Sequence, residues 1–315
     1  MPRLQSAKDM RSMLHIGDAV LHRPNNAYFT LLLADELLPA AMILGWTLLK
    51  TGTKFDTVVM VTEAVCARSR RLLKNVFNRV VEVDVIRTGD PRGKLGVLDK
   101  QEREIYSQQM TKSNLFRFTE YKKVLYLDIN VYLIRNIDEL FELDAPAGIS
   151  SLVESAAQEA WHGLRLPREN AIRALQLSRG IRGCLMLLKP SIDLYHYCQT
   201  SIKQYHEFHF RHPEEEFFTR TFLSQWTHIH AKFALIPWQV NRVSRDVYGI
   251  HLEALKAWMD KCKEMPEVIK WRTEAFRMTL EFPRTRRIFS KQTWLNDLDV
   301  CVPRRLHSAT AAKYI

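Results

Sequence analysis

The sequence has no closely spaced pair of cysteines. Five cysteines are dispersed over 315 residues: Cys66, Cys184, Cys198, Cys262 and Cys301. Disulfide-rich secreted domains and zinc modules place cysteines at short, repeated intervals, so an odd and dispersed set argues against both classes. The pattern indicates reduced thiols. It predicts an intracellular protein that is not secreted and lies in the cytoplasm or in an organellar matrix, the mitochondrial matrix included.

Long hydrophobic runs are also missing. A membrane-spanning helix needs about 18 or more consecutive apolar residues. The longest candidate, residues 31–49, is interrupted by Asp35, Glu36 and Pro39. Residues 1–26 have no apolar core of the signal-peptide type. The sequence therefore predicts neither a membrane span nor a secretion signal.

Two glycine-rich phosphate cradles, Gly-x-Gly-x-x-Gly and Gly-x-x-x-x-Gly-Lys, do not occur in the sequence. A nucleotide site, if present, must therefore use other groups. The metalloprotease pattern His-Glu-x-x-His is missing as well, although the chain has 11 histidines. His228 and His230 occupy alternate positions of a mixed segment, which is poor spacing for a zinc site. These absences disfavour a zinc enzyme.

Acidic residues are outnumbered by basic ones, 35 to 46, which gives a formal net charge of +11. Such an excess favours an anionic partner: a nucleotide, a phosphate-rich surface, RNA or an acidic protein. The late part of the chain contributes a basic group: Arg284, Arg286, Arg287, Arg304 and Arg305. No RNA-recognition or zinc-finger pattern accompanies these arginines, so they predict contact with a protein or with RNA phosphates, or simply a solvated face.

Apolar strands and amphipathic helices alternate in the first part of the chain. Strands are predicted at 27–33, 57–61 and 80–85, with helices at 37–50 and 69–77. This order predicts parallel strands joined by right-handed crossovers. Further strands are predicted at 124–127, 148–153 and 184–188, and helices at 110–119, 192–205, 214–224, 252–259 and 268–278. No strand is predicted after residue 241.

Asp128 follows the apolar strand 124–127 directly, and Asn130 lies two residues further on. Open α/β sheets place ligand chemistry at the carboxyl ends of buried strands. Carboxylate and amide oxygens at that point are suitable ligands for a metal that carries a diphosphate. The alternative is that Asp128 only begins a turn.

Several separated blocks resemble glycogenin and its relatives, the family-8 retaining glycosyltransferases that use UDP-sugars and a divalent metal. The blocks are 27–31 with 39–45, 51–54 with 58–62, 121–128 with 135–141, 187–191, and 241–258. The resemblance implies a Rossmann-like mixed sheet of the glycosyltransferase-A type, flanked by helices, over residues 27–260. Residues 1–26 would then be an N-terminal extension, and 261–315 a helical and basic C-terminal extension.

The resemblance also implies a donor site. In that family an Asp-x-Asp and a later histidine bind Mn²⁺ or Mg²⁺, and a lysine contacts the donor. Asp128 matches the first aspartate, Asn130 replaces the second, and Lys112 matches the donor lysine. The histidine block has no clear counterpart. The nearest alignment places Lys270 there, where its ammonium would pair with Asp128.

Other positions depart from the family pattern. The base-contacting residues correspond to Leu32, Leu33, Ala34 and Leu37, and an Asn-Ser-Gly corresponds to residues 182–184.

The acceptor-side Asp-Gln corresponds to Glu214 and Glu215, which otherwise read as the acidic first turn of a helix. The alternative interpretation of Lys112 is an exposed lysine near the start of a helix. Tyr248 aligns with the family's self-glucosylated tyrosine, which would make it an acceptor. Four tryptophans are predicted to pack in the core or at an interface rather than against sugar: Trp226, Trp238, Trp258 and Trp271.

These departures lead to two functional hypotheses. The first is a catalytically impaired glycogenin-like homologue, without a metal cofactor, that serves as a binding or structural subunit of a larger assembly. The alternative is an active, metal-dependent UDP-sugar hexosyltransferase that acts on a protein or a glycan.

Overall fold

The computed structural model describes residues 25–88, 104, 106–177, 180–204, 212–240, 246–252, 257 and 265–289. Several predictions concern residues outside these ranges: those for 1–24, Asn241, residues 253–256, 258 and 259, Cys262, Cys301, Arg304 and Arg305. No helix among the described residues is both long enough and apolar enough to cross a bilayer.

One mixed sheet of seven strands forms the centre of the fold, and two further strands pair beside it. In chain order the strands are β1 Asn26–Leu32, β2 Asp56–Val61, β3 Arg79–Glu82, β4 Lys123–Leu127, β5 Val131–Leu133, β6 Ala147–Ser150, β7 Ile181–Leu188, β8 Thr227–His228 and β9 Gly249–His251. The large sheet has the order β3-β2-β1-β4-β7-β6-β8, and β5 pairs with β9.

The strands β3, β2, β1 and β4 are mutually parallel. In β1, β2 and β4 the side chains are largely buried on both faces, which explains why the sequence shows these strands as continuous apolar runs, whereas the edge strand β3 is only partly buried. Beyond β4 the direction changes, because β7 is antiparallel to both β4 and β6. The predicted mixed α/β sheet is therefore confirmed, and the change of direction lies next to the end of β4.

Helices cover the sheet. They are α1 Leu38–Lys50, α2 Ala67–Leu73, α3 Gln158–Trp161, α4 Arg168–Gln176, α5 Ile192–Gln204, α6 Pro213–Thr221 and α7 Pro266–Glu281. The predicted helix at 110–119 is a 3-10 helix, Gln109–Arg117. Gly52 ends the first helical segment with φ of 70°, a left-handed conformation that glycine adopts without the Cβ penalty of other residues.

The helix α1 links the sheet to the late part of the chain. Its residues from Leu38 to Leu48 are all buried, as expected for a helix that is apolar on every side. The helix α7 packs on it, and the indole Nε1 of Trp46 donates to Glu274 Oε2 at 3.0 Å. Val268, Trp271 and Ala275 of α7 belong to the same apolar cluster as α1.

The strand β9 corrects the prediction that no strand follows residue 241. Gly249, Ile250 and His251 pair antiparallel with β5, and His251 lies opposite Val131. Three residues are too few to show a recognisable alternation. Gly249 permits the pairing, since a Cβ there would meet the carbonyl oxygen of Phe233 at 2.4 Å. The pairing brings His251 towards the end of β4.

Candidate functional site

Asp128 lies immediately after β4, beside the antiparallel neighbour β7. Its backbone N–H donates to the carbonyl of Cys184 at 2.9 Å. The backbone N–H and the Nδ2 of Asn130 both donate to Asp128 Oδ1, each at 2.9 Å. Asp128 therefore does begin a turn, as its alternative interpretation required. The same turn brings the Asn130 amide close to the carboxylate.

His251 is the residue that sequence reasoning missed. Its Nε2 lies 3.6 Å from Asp128 Oδ1, and the neighbouring Leu252 N–H donates to the Asn130 carbonyl at 3.0 Å. The expectation that Lys270 pairs with Asp128 is wrong. Lys270 lies exposed on α7 and lines a different cleft. The sequence around His251 carries no pattern long enough to indicate its position, because β9 has only three residues.

Asp128 and His251 form an ion pair. Burial would raise the pKa of the Asp128 carboxyl, but hydrogen bonding to His251 and the charges of His251 and Lys112 hold it well below its usual range. Burial would lower the pKa of His251, yet Cys184 and Asp128 raise it to about 9. The Arg182 guanidinium lies on the other ring nitrogen, with its Nη2 3.3 Å from His251 Nδ1.

The same cluster includes the buried thiol of Cys184, on β7. Burial alone would raise the pKa of this thiol, but the positive charges of Arg182 and His251 outweigh it and lower the pKa. Arg182 is also tethered, because its Nη1 donates to the Ala234 carbonyl at 3.3 Å. The region around Asp128 is therefore charged, partly enclosed and held by contacts from β4, β7 and β9.

The donor set around Asp128 suits a hard divalent cation only in part. A carboxylate, an amide and an imidazole are all possible ligands. However, no group of three His, Cys, Asp or Glu residues within the described part of the chain is arranged to hold a metal. A cation here would rely on the neutral amide of Asn130, and it would have to displace the proton from His251 Nε2. The residues fit a weak cation site.

Lys112 is buried, so its interpretation as an exposed lysine is wrong. Its Nζ is 2.7 Å from Glu214 Oε1, with side-chain exposures of 3% and 2%. It also lies 3.4 Å from the Gly183 carbonyl and 5.1 Å from the centre of the Tyr126 ring. Burial alone would lower the pKa of Lys112, but the charge of Glu214 outweighs it and raises the pKa.

Glu214 and Glu215 do form the acidic first turn of α6. They are not a solvated turn, however, because Glu214 is buried and its Oε2 has no hydrogen-bond partner among the described residues. The Gly183 N–H donates to Glu215 Oε1 at 2.7 Å. Burial, followed by the charge of Glu214, raises the pKa of Glu215. A Cβ at Gly183 would lie 2.8 Å from Glu214 Oε1, so a larger residue there would have to displace the Glu214 carboxylate.

Apolar residues occupy the positions aligned with base contacts. Leu32 and Leu33 are buried and belong to the two apolar clusters on opposite faces of the sheet. Leu37 is partly buried against the first cluster. These leucines contribute packing and offer no polar group to a base.

Tyr248 is half-buried between two cations. Its ring lies 5.3 Å from the Arg135 guanidinium and 5.4 Å from the Lys232 ammonium. The acceptor role of Tyr248 stays a prediction.

The tryptophans differ in their surroundings. Trp226 and Trp271 are buried, as predicted, but Trp238 is 55% exposed and does not pack in the core.

The late arginines that the structure describes are Arg284, Arg286 and Arg287, all exposed on the 3-10 helix Pro283–Phe289. Their binding to a protein or to RNA stays a prediction.

A second cluster, of histidines, lies between β8 and α3. His228 Nδ1 accepts from the Ser150 N–H at 3.3 Å, and its Nε2 lies 3.1 Å from Gln158 Oε1. Burial lowers the pKa of His228 to about 3, and burial together with Lys232 lowers that of His230 to about 4. Both imidazoles are therefore neutral in the folded protein at neutral pH.

This cluster predicts sensitivity to acid. In the unfolded chain a histidine takes up a proton below about pH 6.5, whereas in the folded protein His228 takes one up only at a much lower pH. Acid therefore favours the unfolded state, and the free energy of unfolding falls as the pH falls. At pH 5 we expect His228 alone to cost about 2 kcal/mol of the free energy of unfolding. Urea unfolding from pH 7 to pH 5 measures this. His228→Gln should reduce the slope of the free energy of unfolding against pH by about one proton. The exposed control His196→Gln should leave that slope unchanged. An equal slope in the natural chain and in His228→Gln would contradict the assignment.

Comparisons with known proteins confirm the glycogenin-like resemblance. The chain is 26% identical over 244 residues to an uncharacterised protein of Acanthamoeba polyphaga mimivirus, covering 74% of this chain and 82% of that protein. It is 30% identical over 118 residues to human glycogenin-1, covering 38% of this chain and 33% of that protein. No protein-family model matches the chain.

A plant enzyme gives a similar result. The Arabidopsis thaliana inositol phosphorylceramide glucuronosyltransferase 1 is 33% identical over 119 residues, covering 37% of this chain and 20% of that protein. The matched segment thus spans a third or less of these two named glycosyltransferases.

Solved structures of low identity share the fold. The galactosyltransferase LgtC, determined with donor and acceptor sugar analogues, has a TM-score of 0.53 at 12% identity and covers 79% of this chain and 95% of that one. The bifunctional glycosyltransferase WbbM has a TM-score of 0.57 at 9% identity, and the match covers 90% of this chain and 52% of that one. The glycosyltransferase-A fold is therefore confirmed.

Proposed function

We propose that this chain, a glycogenin-like homologue with the glycosyltransferase-A fold, transfers a hexosyl group from a UDP-sugar to a protein or glycan acceptor. The observation that supports the proposal is the position of His251 beside Asp128 and Asn130. One of the sequence arguments for an inert protein was a missing histidine ligand. A histidine at this place removes that argument.

Asp128, Asn130 and His251 would hold Mn²⁺ or Mg²⁺ at the end of β4. When bound, such a cation neutralises the charge that develops on the leaving diphosphate. The retained aspartate supplies the negative charge of the site, and the amide of Asn130 adds only a dipole. Cation affinity should therefore be lower than in a site with two carboxylates.

The Lys112–Glu214 pair contacts the same part of β7 as Asp128, at Gly183 next to Cys184. The buried Lys112 ammonium adds positive potential near Asp128, as its effect on the pKa of that carboxyl shows. Such a fixed charge stabilises a nearby diphosphate without reorganisation. Glu215, whose pKa is raised by burial and by the charge of Glu214, is the neighbouring carboxyl on the same turn of α6. We assign it to the acceptor side.

A second candidate is the impaired homologue that serves as a binding or structural subunit. Two observations favour it. The carboxylates are already paired inside the protein, Asp128 with His251 at 3.6 Å and Glu214 with Lys112 at 2.7 Å. In addition, Arg284, Arg286 and Arg287 form an exposed basic surface that suits an anionic partner.

Metal titration and turnover distinguish the two candidates. We expect Mn²⁺-dependent UDP release from a UDP-hexose, reduced at least about a hundredfold by Asp128→Ala or His251→Ala, because both remove groups that stabilise the leaving diphosphate. Asn130→Asp should tighten Mn²⁺ binding in calorimetry, since it restores a second charged ligand. His196→Ala, exposed on α5, is the matched control and should change neither quantity.

Two outcomes would contradict the transferase proposal. If neither the natural chain nor Asn130→Asp binds Mn²⁺ or UDP, the transferase proposal is wrong and the subunit role is favoured. UDP release that persists in Asp128→Ala would show that the activity belongs to a contaminant.

A further inference from the structure

A second cleft, separate from the Asp128 site, lies between α1, β5 and α7. Its volume is about 670 Å³, which is within the range of small-molecule sites. Lys50 lines it from α1, Tyr132 from β5 and Lys270 from α7. None of the residues assigned to the donor site lines this cleft.

The cleft is strongly cationic. Four cations line it: Lys50, Arg135, Lys270 and Arg277. Among the described residues that line it, Glu274 is the only carboxylate. Concave surfaces lined by one sign of charge concentrate the field and attract ligands of the opposite sign. The ligand that such a cleft favours carries negative charge.

Glu274 holds two of the cations in place. Its Oε2 is 2.8 Å from Lys50 Nζ, and its Oε1 is 2.8 Å from Arg277 Nη1. One carboxylate therefore fixes two cations and neutralises one of them. Asp246, outside the cleft, pairs with Arg135. Lys270 has no hydrogen-bond or ion-pair partner within the described part of the chain.

The neutral polar groups of the cleft are poorly suited to a plain sugar. The hydroxyls of Thr47, Thr51 and Thr273 all donate to carbonyl groups of the preceding helical turn. The Tyr132 hydroxyl donates to the Glu267 carbonyl at 3.1 Å. The donors that remain for a ligand are ammonium and guanidinium groups, which bind phosphate oxygens more strongly than neutral hydroxyls.

We propose that the cleft between α1, β5 and α7 binds a small phosphate-bearing molecule at a site distinct from the donor site. Lys270 contributes the principal free charge from α7, while Lys50 of α1 and Arg277 of α7, both held by Glu274, contribute fixed charge. The size of the cleft leaves room for a phosphate ester or a diphosphate with an attached polar group.

Calorimetry on the full chain tests the proposal with three probes: inorganic phosphate, pyrophosphate and glucose 1-phosphate. Neutral glucose is the negative control. We expect saturable binding that Lys270→Gln weakens about tenfold and Lys270→Glu weakens further, because a charge-assisted contact is lost and then replaced by repulsion. Lys122→Gln removes an exposed lysine outside the cleft and should leave binding unchanged.

The order of affinities identifies the source of the phosphate. Tighter binding of glucose 1-phosphate than of pyrophosphate indicates a sugar phosphate, and the reverse order indicates a diphosphate. Asp128→Ala must leave binding intact, since loss in that variant would place the probe in the donor site. Absence of saturable binding by all three probes, or equal weakening by Lys270→Gln and Lys122→Gln, would overturn the proposal.

Discussion

Lys112→Met is expected to lower the free energy of unfolding by about 3–5 kcal/mol, because it leaves the Glu214 carboxylate buried without its partner. The two groups are 2.7 Å apart and almost fully buried. The other Glu214 oxygen already has no hydrogen-bond partner within the described residues. Urea unfolding of the natural chain and the variant, with unchanged m-values, measures the loss.

A double-mutant cycle provides the control. Glu214→Met alone should also destabilise, since it leaves the Lys112 ammonium buried. Lys112→Met with Glu214→Met should recover most of the loss, because two unbranched apolar side chains replace the pair and no buried charge remains. If the two single losses simply add in the double variant, the pair does not exist in solution.

Three strands of the parallel half of the sheet could be predicted from sequence because they are buried on both faces. In β1, β2 and β4 nearly every side chain is removed from solvent, which produces continuous apolar runs. The short strand β9 could not be predicted, because its stability comes from pairing with β5 and not from its own three residues. Tertiary context decided its conformation.

The candidate site shows the same division. Asp128 was predictable because it follows a strand whose end is visible in the sequence. His251 was not, because its proximity to Asp128 depends on the register between β5 and β9. The burial of Lys112 was equally hidden, since its partner Glu214 is 102 residues away in the sequence. Sequence patterns report local periodicity, whereas these contacts depend on how distant segments meet.

Two ion pairs, Asp128–His251 and Lys112–Glu214, contact neighbouring residues of β7. The Cys184 carbonyl accepts from Asp128, and the Gly183 carbonyl lies near the Lys112 ammonium. Charged groups from four separate parts of the chain are thereby fixed relative to one another. Such fixed charges are what electrostatic catalysis on a diphosphate requires, and they are also what a structural core with buried charges must satisfy. Turnover and metal titration separate these roles.

Trp271→Ala tests whether α7 belongs to the same hydrophobic core as α1 and the sheet. The sequence suggested a C-terminal extension that begins at residue 261. In the structure Trp271 is 2% exposed and shares an apolar cluster with α1. Its ring also packs edge-on against Phe289 at 6.2 Å. We expect Trp271→Ala to cost about 3–5 kcal/mol of the free energy of unfolding, the usual loss for a fully buried tryptophan.

The control lies on the same helix. Ile269 is 46% exposed, so Ile269→Ala should change stability by less than about 0.5 kcal/mol. Both variants are measured by urea unfolding followed with far-ultraviolet circular dichroism and with tryptophan fluorescence. If α7 is an integral part of the core, Trp271→Ala moves a single cooperative transition that both probes report together. A separate early transition, with the main one unmoved, would show that α7 folds as an appended unit. In that case the cleft it forms with α1 and β5 would be lost before the sheet unfolds.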